Sequence, residues 1–149
     1  MDAKKIVIFF MCILFGPQVV RAQYKIFYIP FDVETFVPVD SEKIEKQAHF
    51  VLEYKDSIID QAFEKVKTSP QKDQVSAVNL RAKIVRSIDQ EVIYINKPLD
   101  LLSNKMRSSG DKVFVNRLSA SIAGKAKEAC KKPKAKFVIK TKNCNLMGK

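Results

Sequence analysis

The chain has 149 residues, 46% of them apolar, with four glycines and six prolines. This composition argues against a disordered chain and is typical of one globular domain. Lys and Arg number 27 against 16 Asp and Glu, so the formal net charge is +11. A charge of this size indicates an acidic partner or a solubilising surface and says nothing about the fold.

The first 22 residues predict the cellular compartment. Two lysines precede an apolar run from Ile6 to Phe15, which is followed by Gly16-Pro17 and a small-residue cleavage site ending at Ala22. This is the layout of a secretory signal peptide. The run is about half the roughly 20 residues of a transmembrane helix, so we predict cleavage and no membrane span. The mature chain, residues 23–149, is expected as a single exported domain, either periplasmic or secreted.

Two cysteines remain once Cys12 leaves with the signal peptide. Cys130 and Cys144 would then reside in an oxidising compartment, where paired thiols become disulfides. The alternatives are a redox pair, which usually places its cysteines two apart, and a zinc site, which needs about four ligands. We therefore predict a disulfide, and no metal or cofactor.

The first mature elements are rich in aromatic and β-branched residues. Tyr24 to Phe31 predicts a strand, and Glu34 to Val39 predicts its continuation after a bend. Asp40 and Ser41 can cap a short helix that ends at about Gln47. His49 to Tyr54 alternates as a strand that places its aromatic residues and Leu52 on one face, although one longer helix over the whole region is the alternative.

A helix and a hairpin follow. Apolar residues from Ile58 to Val66 recur at helical spacing between the cap Asp56 and Pro70. Two β-rich runs, Val75 to Arg86 and Glu91 to Ile95, are joined by a short polar link and predict a hairpin. In the first of these strands one face would hold Val78, Leu80, Ala82 and Ile84, and the other Asn79, Arg81 and Lys83.

The last third of the chain predicts two helices with a strand between them. Pro98 near the start and Gly110 after the end outline a helix with Leu99, Leu102 and Met106 on one side. Val113 to Val115 predicts a short strand. Leu118 to Cys130 predicts a helix whose inward residues are Leu118, Ile122, Ala126 and Ala129. Together these elements predict an α+β domain, mostly an antiparallel sheet packed against two to four short helices.

Positive charge is concentrated in the C-terminal part. Residues 97–149 hold fourteen Lys and Arg against three Asp and Glu, whereas residues 23–96 hold ten against twelve. The alternation from Lys134 to Lys142 predicts a strand with Phe137 and Ile139 towards the core and lysines on the other face. The candidate residues for binding an anion or a partner are Lys131, Lys132, Lys134, Lys136, Lys140 and Lys142.

These lysines have two interpretations. Lysine on an edge strand discourages other chains from pairing there, and a solvated lysine face also aids solubility. Alternatively the row forms a strip for an acidic protein or an anionic polymer. Nucleic acid is disfavoured, because export separates the protein from most of it and no recognised binding motif is present.

The sequence lacks a recognisable catalytic group. His49 is the only histidine, and neither a GxSxG nor an HExxH motif occurs. Spacing suggests a Ser121/Lys125 pair one helical turn apart, or Glu45 and Glu53 around His49. Glycoside cleavage by two carboxylates that meet in space stays open, although nothing in the sequence selects a pair. We therefore predict a non-enzymatic exported protein that binds a protein partner, as an inhibitor, an immunity factor or an assembly component would. The alternatives are adhesion to anionic envelope or host polymers, and an enzyme of unrecognised class.

Overall fold

The computed structural model describes residues 23–70, 78–105, 107–142 and 144–147. Within these residues seven strands form one antiparallel sheet in the order β6-β5-β4-β3-β1-β2-β7. The strands are β1 (Tyr24–Tyr28), β2 (Phe50–Tyr54), β3 (Leu80–Arg86), β4 (Val92–Asn96), β5 (Leu101–Ser103), β6 (Ser108–Ser109) and β7 (Val138–Thr141). The predicted α+β class is therefore confirmed. The predicted signal peptide and the start of the Val75 strand lie outside the described residues.

Helices accompany the sheet: α1 (Ile44–Gln47), α2 (Ser57–Thr68), α3 (Lys112–Lys131) and a 3-10 turn at Cys144–Met147. The Asp56 side chain accepts a hydrogen bond from the Ile58 N–H at 3.1 Å and caps α2, as predicted. Asp111 caps α3 in the same way through the Phe114 N–H at 3.0 Å. No helix in the described ranges is both long and apolar enough to span a membrane.

The sheet separates two apolar clusters. The larger lies under α2 and α3, and its helical side includes Phe63, Leu118 and Ile122, all fully buried. The smaller lies on the opposite side, where Ile44 of α1 and Val39 cover the sheet residue Phe27. The inward stripe of α3 and the shared face of Phe50, Leu52 and Tyr54 are as predicted.

Three predicted elements were wrong. The described residues of the segment 98–110 form a turn and the β5–β6 hairpin. The Asp100 N–H donates to Asn96 Oδ1 at 2.7 Å and closes the turn around Pro98 and Leu99 that leads from β4 into β5. Val113 to Val115 belong to α3. Glu34 to Val39 are a loop, and β1 already ends at Tyr28.

The face assignment of β3 also needs correction. The pairing of β3 with β4 shifts register between Leu80 and Ala82, so these two residues pack into different apolar clusters. Arg81, which simple alternation placed on a polar face, is only 2% exposed. A bulge breaks the period of two, and this irregularity explains both differences.

Candidate functional site

The disulfide predicted from the cysteine count is present. Cys130, in the last turn of α3, is bonded to Cys144 in the 3-10 turn, with their Cα atoms 5.5 Å apart. Between them lie β7 and all six candidate lysines. The bond therefore fastens the basic segment to the end of α3.

The predicted lysine strand is shorter than expected. Two turn hydrogen bonds, from Ala135 N–H to the Lys132 carbonyl and from Val138 N–H to the Ala135 carbonyl, delay the strand until Val138. Lys134 and Lys136 lie in these turns, so the candidate lysines do not form a single row along a strand. Val138, not Ile139, packs against the core, and Ile139 is half exposed.

The lysines nevertheless form an uncompensated positive region at the sheet edge. Five are exposed and Lys140 is half buried. Among the residues that the structure describes, none of the six is in an ion pair. Lys125 differs, because it pairs with Glu128 at 2.9 Å and lies 5.1 Å from the centre of the Phe137 ring. Because β7 is the outermost strand, edge protection stays a valid interpretation, and anion binding stays a prediction.

A second surface feature adjoins this region: the loop from Pro30 to Pro38, called here the proline-framed loop. Its entry is held by the Ile29 N–H, which donates to the Arg81 carbonyl at 2.8 Å. Its exit is held by Val39, whose carbonyl accepts from the Leu80 N–H at 2.9 Å and whose side chain is buried. Both ends are thus tied to β3, and the prolines restrict the backbone further.

The tip of the proline-framed loop presents apolar side chains to solvent. Phe36 has 107% relative exposure, so its ring makes no burying contact, and the neighbouring Val37 is 50% exposed. Single exposed apolar residues are common, but an aromatic side chain on an anchored loop is typical of a binding anchor. We did not identify Phe36 from the sequence, since its β-rich surroundings indicated a strand; the prolines on both sides were the available signal.

Below the tip lies a cavity of about 340 Å³ lined by the loop together with Lys46, His49 and Lys142. The His49 carbonyl accepts from the Lys142 N–H at 2.7 Å, and this bond brings the end of β7 beside the loop. His49 Nδ1 is buried and has no hydrogen-bond partner among the described residues. Burial, followed by the charges of Lys142 and Arg81, lowers the pKa of His49, which is therefore neutral at pH 7.

Arg81 adds a buried positive charge to this part of the molecule. Its Nε and Nη1 atoms have no hydrogen-bond partner within the described residues. Burial lowers its pKa, but an arginine remains protonated at neutral pH. Its positive charge is one of the causes that act on the pKa of His49 and on that of Tyr28, in both cases in the lowering direction. Glu34 also lines the cavity, so Lys46, Lys142 and Arg81 together leave a net positive charge around the apolar tip.

The candidate catalytic residues have separate partners. Ser121 Oγ donates to Asp56 at 3.0 Å, whereas Lys125 pairs with Glu128. Glu45 pairs with Lys83, and Glu53 accepts a bond from Gln23 at 2.7 Å, so neither carboxylate is bonded to His49. The features that lie together are the exposed aromatic tip, the cavity lined by Lys46 and Lys142, and the adjoining lysine region.

Comparison with known proteins adds no relative. No protein-family model, no curated protein and no solved structure matches this chain.

Proposed function

We propose that this chain is a non-enzymatic binding domain, exported to the periplasm or beyond the cell, that holds a protein partner through the proline-framed loop. The observation that carries the proposal is the complete exposure of Phe36 at the tip of a loop anchored at both ends. Roles as an inhibitor, an immunity factor or an assembly component all need such a contact.

Anchoring matters because binding costs conformational entropy. A loop that is already ordered loses less freedom on association than a flexible one. Here both loop ends are hydrogen-bonded to β3, and Phe31 packs against Tyr28 with ring centres 6.4 Å apart. Transfer of the Phe36 ring into an apolar pocket would then contribute roughly 1.5–3 kcal/mol, the range of a binding hot spot.

The charges around the loop define the partner's chemistry. Lys46 and Lys142 line the cavity beside the tip and Arg81 lies buried nearby, against one lining carboxylate, Glu34. A complementary surface would have an apolar pocket for Phe36 surrounded by Asp and Glu side chains. Such charges mainly accelerate association and select the partner, while the apolar centre sustains binding at high salt.

Adhesion to an anionic polymer is the second candidate. It is favoured by one observation, the six lysines between the cysteines that lack an ion pair in the described parts of the chain. Binding of this kind would depend on the lysines and not on Phe36. It would also be lost as salt rises.

The test is capture by immobilised mature protein beginning at Gln23, with stepwise elution by salt. Wild type is compared with Phe36→Ala, with a variant carrying Lys134, Lys136, Lys140 and Lys142 replaced by Gln, and with Ile88→Ala. Ile88 is the matched control, since it is 70% exposed at the β3–β4 turn. Substitution of either exposed side chain should leave the unfolding midpoint unchanged.

The proposal expects one stoichiometric protein that remains bound at high salt and is lost only with Phe36→Ala. Retention of that protein by Phe36→Ala would exclude the loop as its binding site. Broad, salt-labile retention of anionic material that disappears with the lysine variant would instead support the polymer alternative.

A further inference from the structure

A second cleft lies between the proline-framed loop, the β4–β5 turn and α3, with a volume of about 450 Å³. This volume falls within the range of small-molecule sites. Phe31 and Leu99 form part of its apolar wall, and Ala120 and Ala123 contribute small side chains from α3. Ala120 is exposed at the mouth of the cleft and Ala123 is half buried in its wall, and these small side chains leave the space open.

Ser119 gives this cleft an unusual polar group. The residue is 6% exposed, and its Oγ has no hydrogen-bond partner in the described part of the chain. Buried hydroxyls are normally bonded, and a helical serine often donates to the carbonyl four residues earlier. No such bond occurs here. The Oγ itself is buried, so the Ser119 side chain must rotate about χ1 to bond a molecule in the cleft that this residue lines.

Charged groups enter the cleft from two sides. Lys97 lies in the β4–β5 turn and Lys127 on α3, and both are exposed, while Asp32 is the one carboxylate among the described residues that line the cleft. Tyr28 is buried in the wall, and burial followed by the charge of Asp32 raises its pKa to about 12. The phenol is therefore neutral, and the balance of charge favours an anion.

We propose that this cleft binds a small amphipathic carboxylate, with its apolar body against Phe31, Leu99 and the α3 alanines. Its carboxylate lies near Lys97 and Lys127, and a second polar group bonds Ser119. This site is independent of the proposed protein contact, which uses the outer tip of the loop.

The test is competition against 8-anilinonaphthalene-1-sulfonate, an aromatic anion whose fluorescence rises in apolar sites. Octanoate and 4-hydroxyphenylacetate serve as competing carboxylates, and octanol as the uncharged counterpart of octanoate. We expect saturable binding of the probe by the folded mature protein. Both carboxylates should displace the probe, and octanol should bind with about tenfold lower affinity than octanoate.

Three variants with matched controls locate the site. Ala120→Phe places a large side chain at the mouth of the cleft and should abolish binding, whereas Val113→Phe, on the same helix at an 84% exposed position, should not. Replacement of Lys97 and Lys127 by Gln should weaken carboxylate binding about tenfold. The same change at the exposed Lys55 and Lys105 alters net charge equally, but neither residue lines the cleft, so binding should persist.

Ser119→Ala distinguishes a binding role from a structural one. Removal of an unbonded buried hydroxyl should raise the unfolding midpoint of the free protein. It should also weaken the binding of 4-hydroxyphenylacetate about fivefold, because the phenolic hydroxyl of this ligand loses its hydrogen-bond partner. The proposal would be overturned by absence of saturable binding, by binding that survives Ala120→Phe, or by equal affinity for octanol and octanoate.

Discussion

Removal of the Cys130–Cys144 bond, by the double substitution of both residues with Ala, should destabilise the domain by about 3 kcal/mol. The cysteines are 14 residues apart, and closure of a loop of about 15 residues restricts the unfolded chain by this amount in the chain-entropy model. The total free energy of unfolding of a typical domain is about 5–15 kcal/mol. With a urea slope of about 1–3 kcal/mol/M, the midpoint should fall by about 1–3 M.

The loss of stability should be greatest around β7. β7 has a strand neighbour only on one side within the described sheet, and its surroundings depend on two backbone bonds: Glu53 N–H to the Phe137 carbonyl at 2.8 Å and Lys142 N–H to the His49 carbonyl at 2.7 Å. Without the disulfide these amides should exchange faster with solvent than the central β1 amides, beyond the change in global stability.

Circular dichroism at 222 nm during urea titration measures the global change, because the chain has no tryptophan. A reducing agent should reproduce the loss in wild type and leave the double variant unaffected. A difference below about 1 kcal/mol between oxidised wild type and the variant would refute the reasoning. Uniform acceleration of all amides would refute the local part.

Three further changes test the core, a charged turn and α3. Phe63→Ala should cost about 3–5 kcal/mol in urea unfolding, because the ring is fully buried and stacks on Tyr24 at 5.6 Å; a cost below about 1 kcal/mol would contradict that packing. Hydrogen bonding by Arg86 lowers the pKa of Asp89 to about 2. Its stabilising contribution is therefore complete above about pH 4 and disappears as pH falls towards 2, so Asp89→Asn should flatten the acid dependence of the urea midpoint in that window. Gly124→Ala should raise stability by about 0.5–1 kcal/mol, since a Cβ there meets no atom within 4 Å; a lower midpoint would show that the helix needs glycine.

Local chemistry determined much of the fold. Asp56 and Pro70 bounded α2 because capping and helix breaking depend on neighbouring residues alone. The apolar spacing of Leu118 to Ala129 identified the buried face of α3, and the cysteine count was sufficient for the disulfide. The capping and spacing signals lie within a few turns of one helix, and two cysteines allow only one pairing.

Where the sequence pattern suits more than one element, tertiary contacts decide which one forms. Leu99 and Leu102 suit a helical stripe, but the Asn96–Asp100 turn folds that segment into the β5–β6 hairpin and places Leu101 and Leu102 in opposite clusters. The lysine strand is shortened by turns that its alternation does not reveal. The apolar pattern of a short segment alone cannot distinguish a helix from a strand.

The candidate sites depend most on the tertiary structure. Phe36 and Lys142 are distant in sequence and line the same cavity only because β2 pairs with β7. Ser119 lies on an ordinary helical stripe, and its open surroundings depend on the loop and the β4–β5 turn packed beside α3. The sequence by itself determined the domain class, the disulfide and the basic C-terminal part. Only the tertiary structure decided which charged, apolar and polar groups meet, because that choice depends on contacts between residues far apart in the chain.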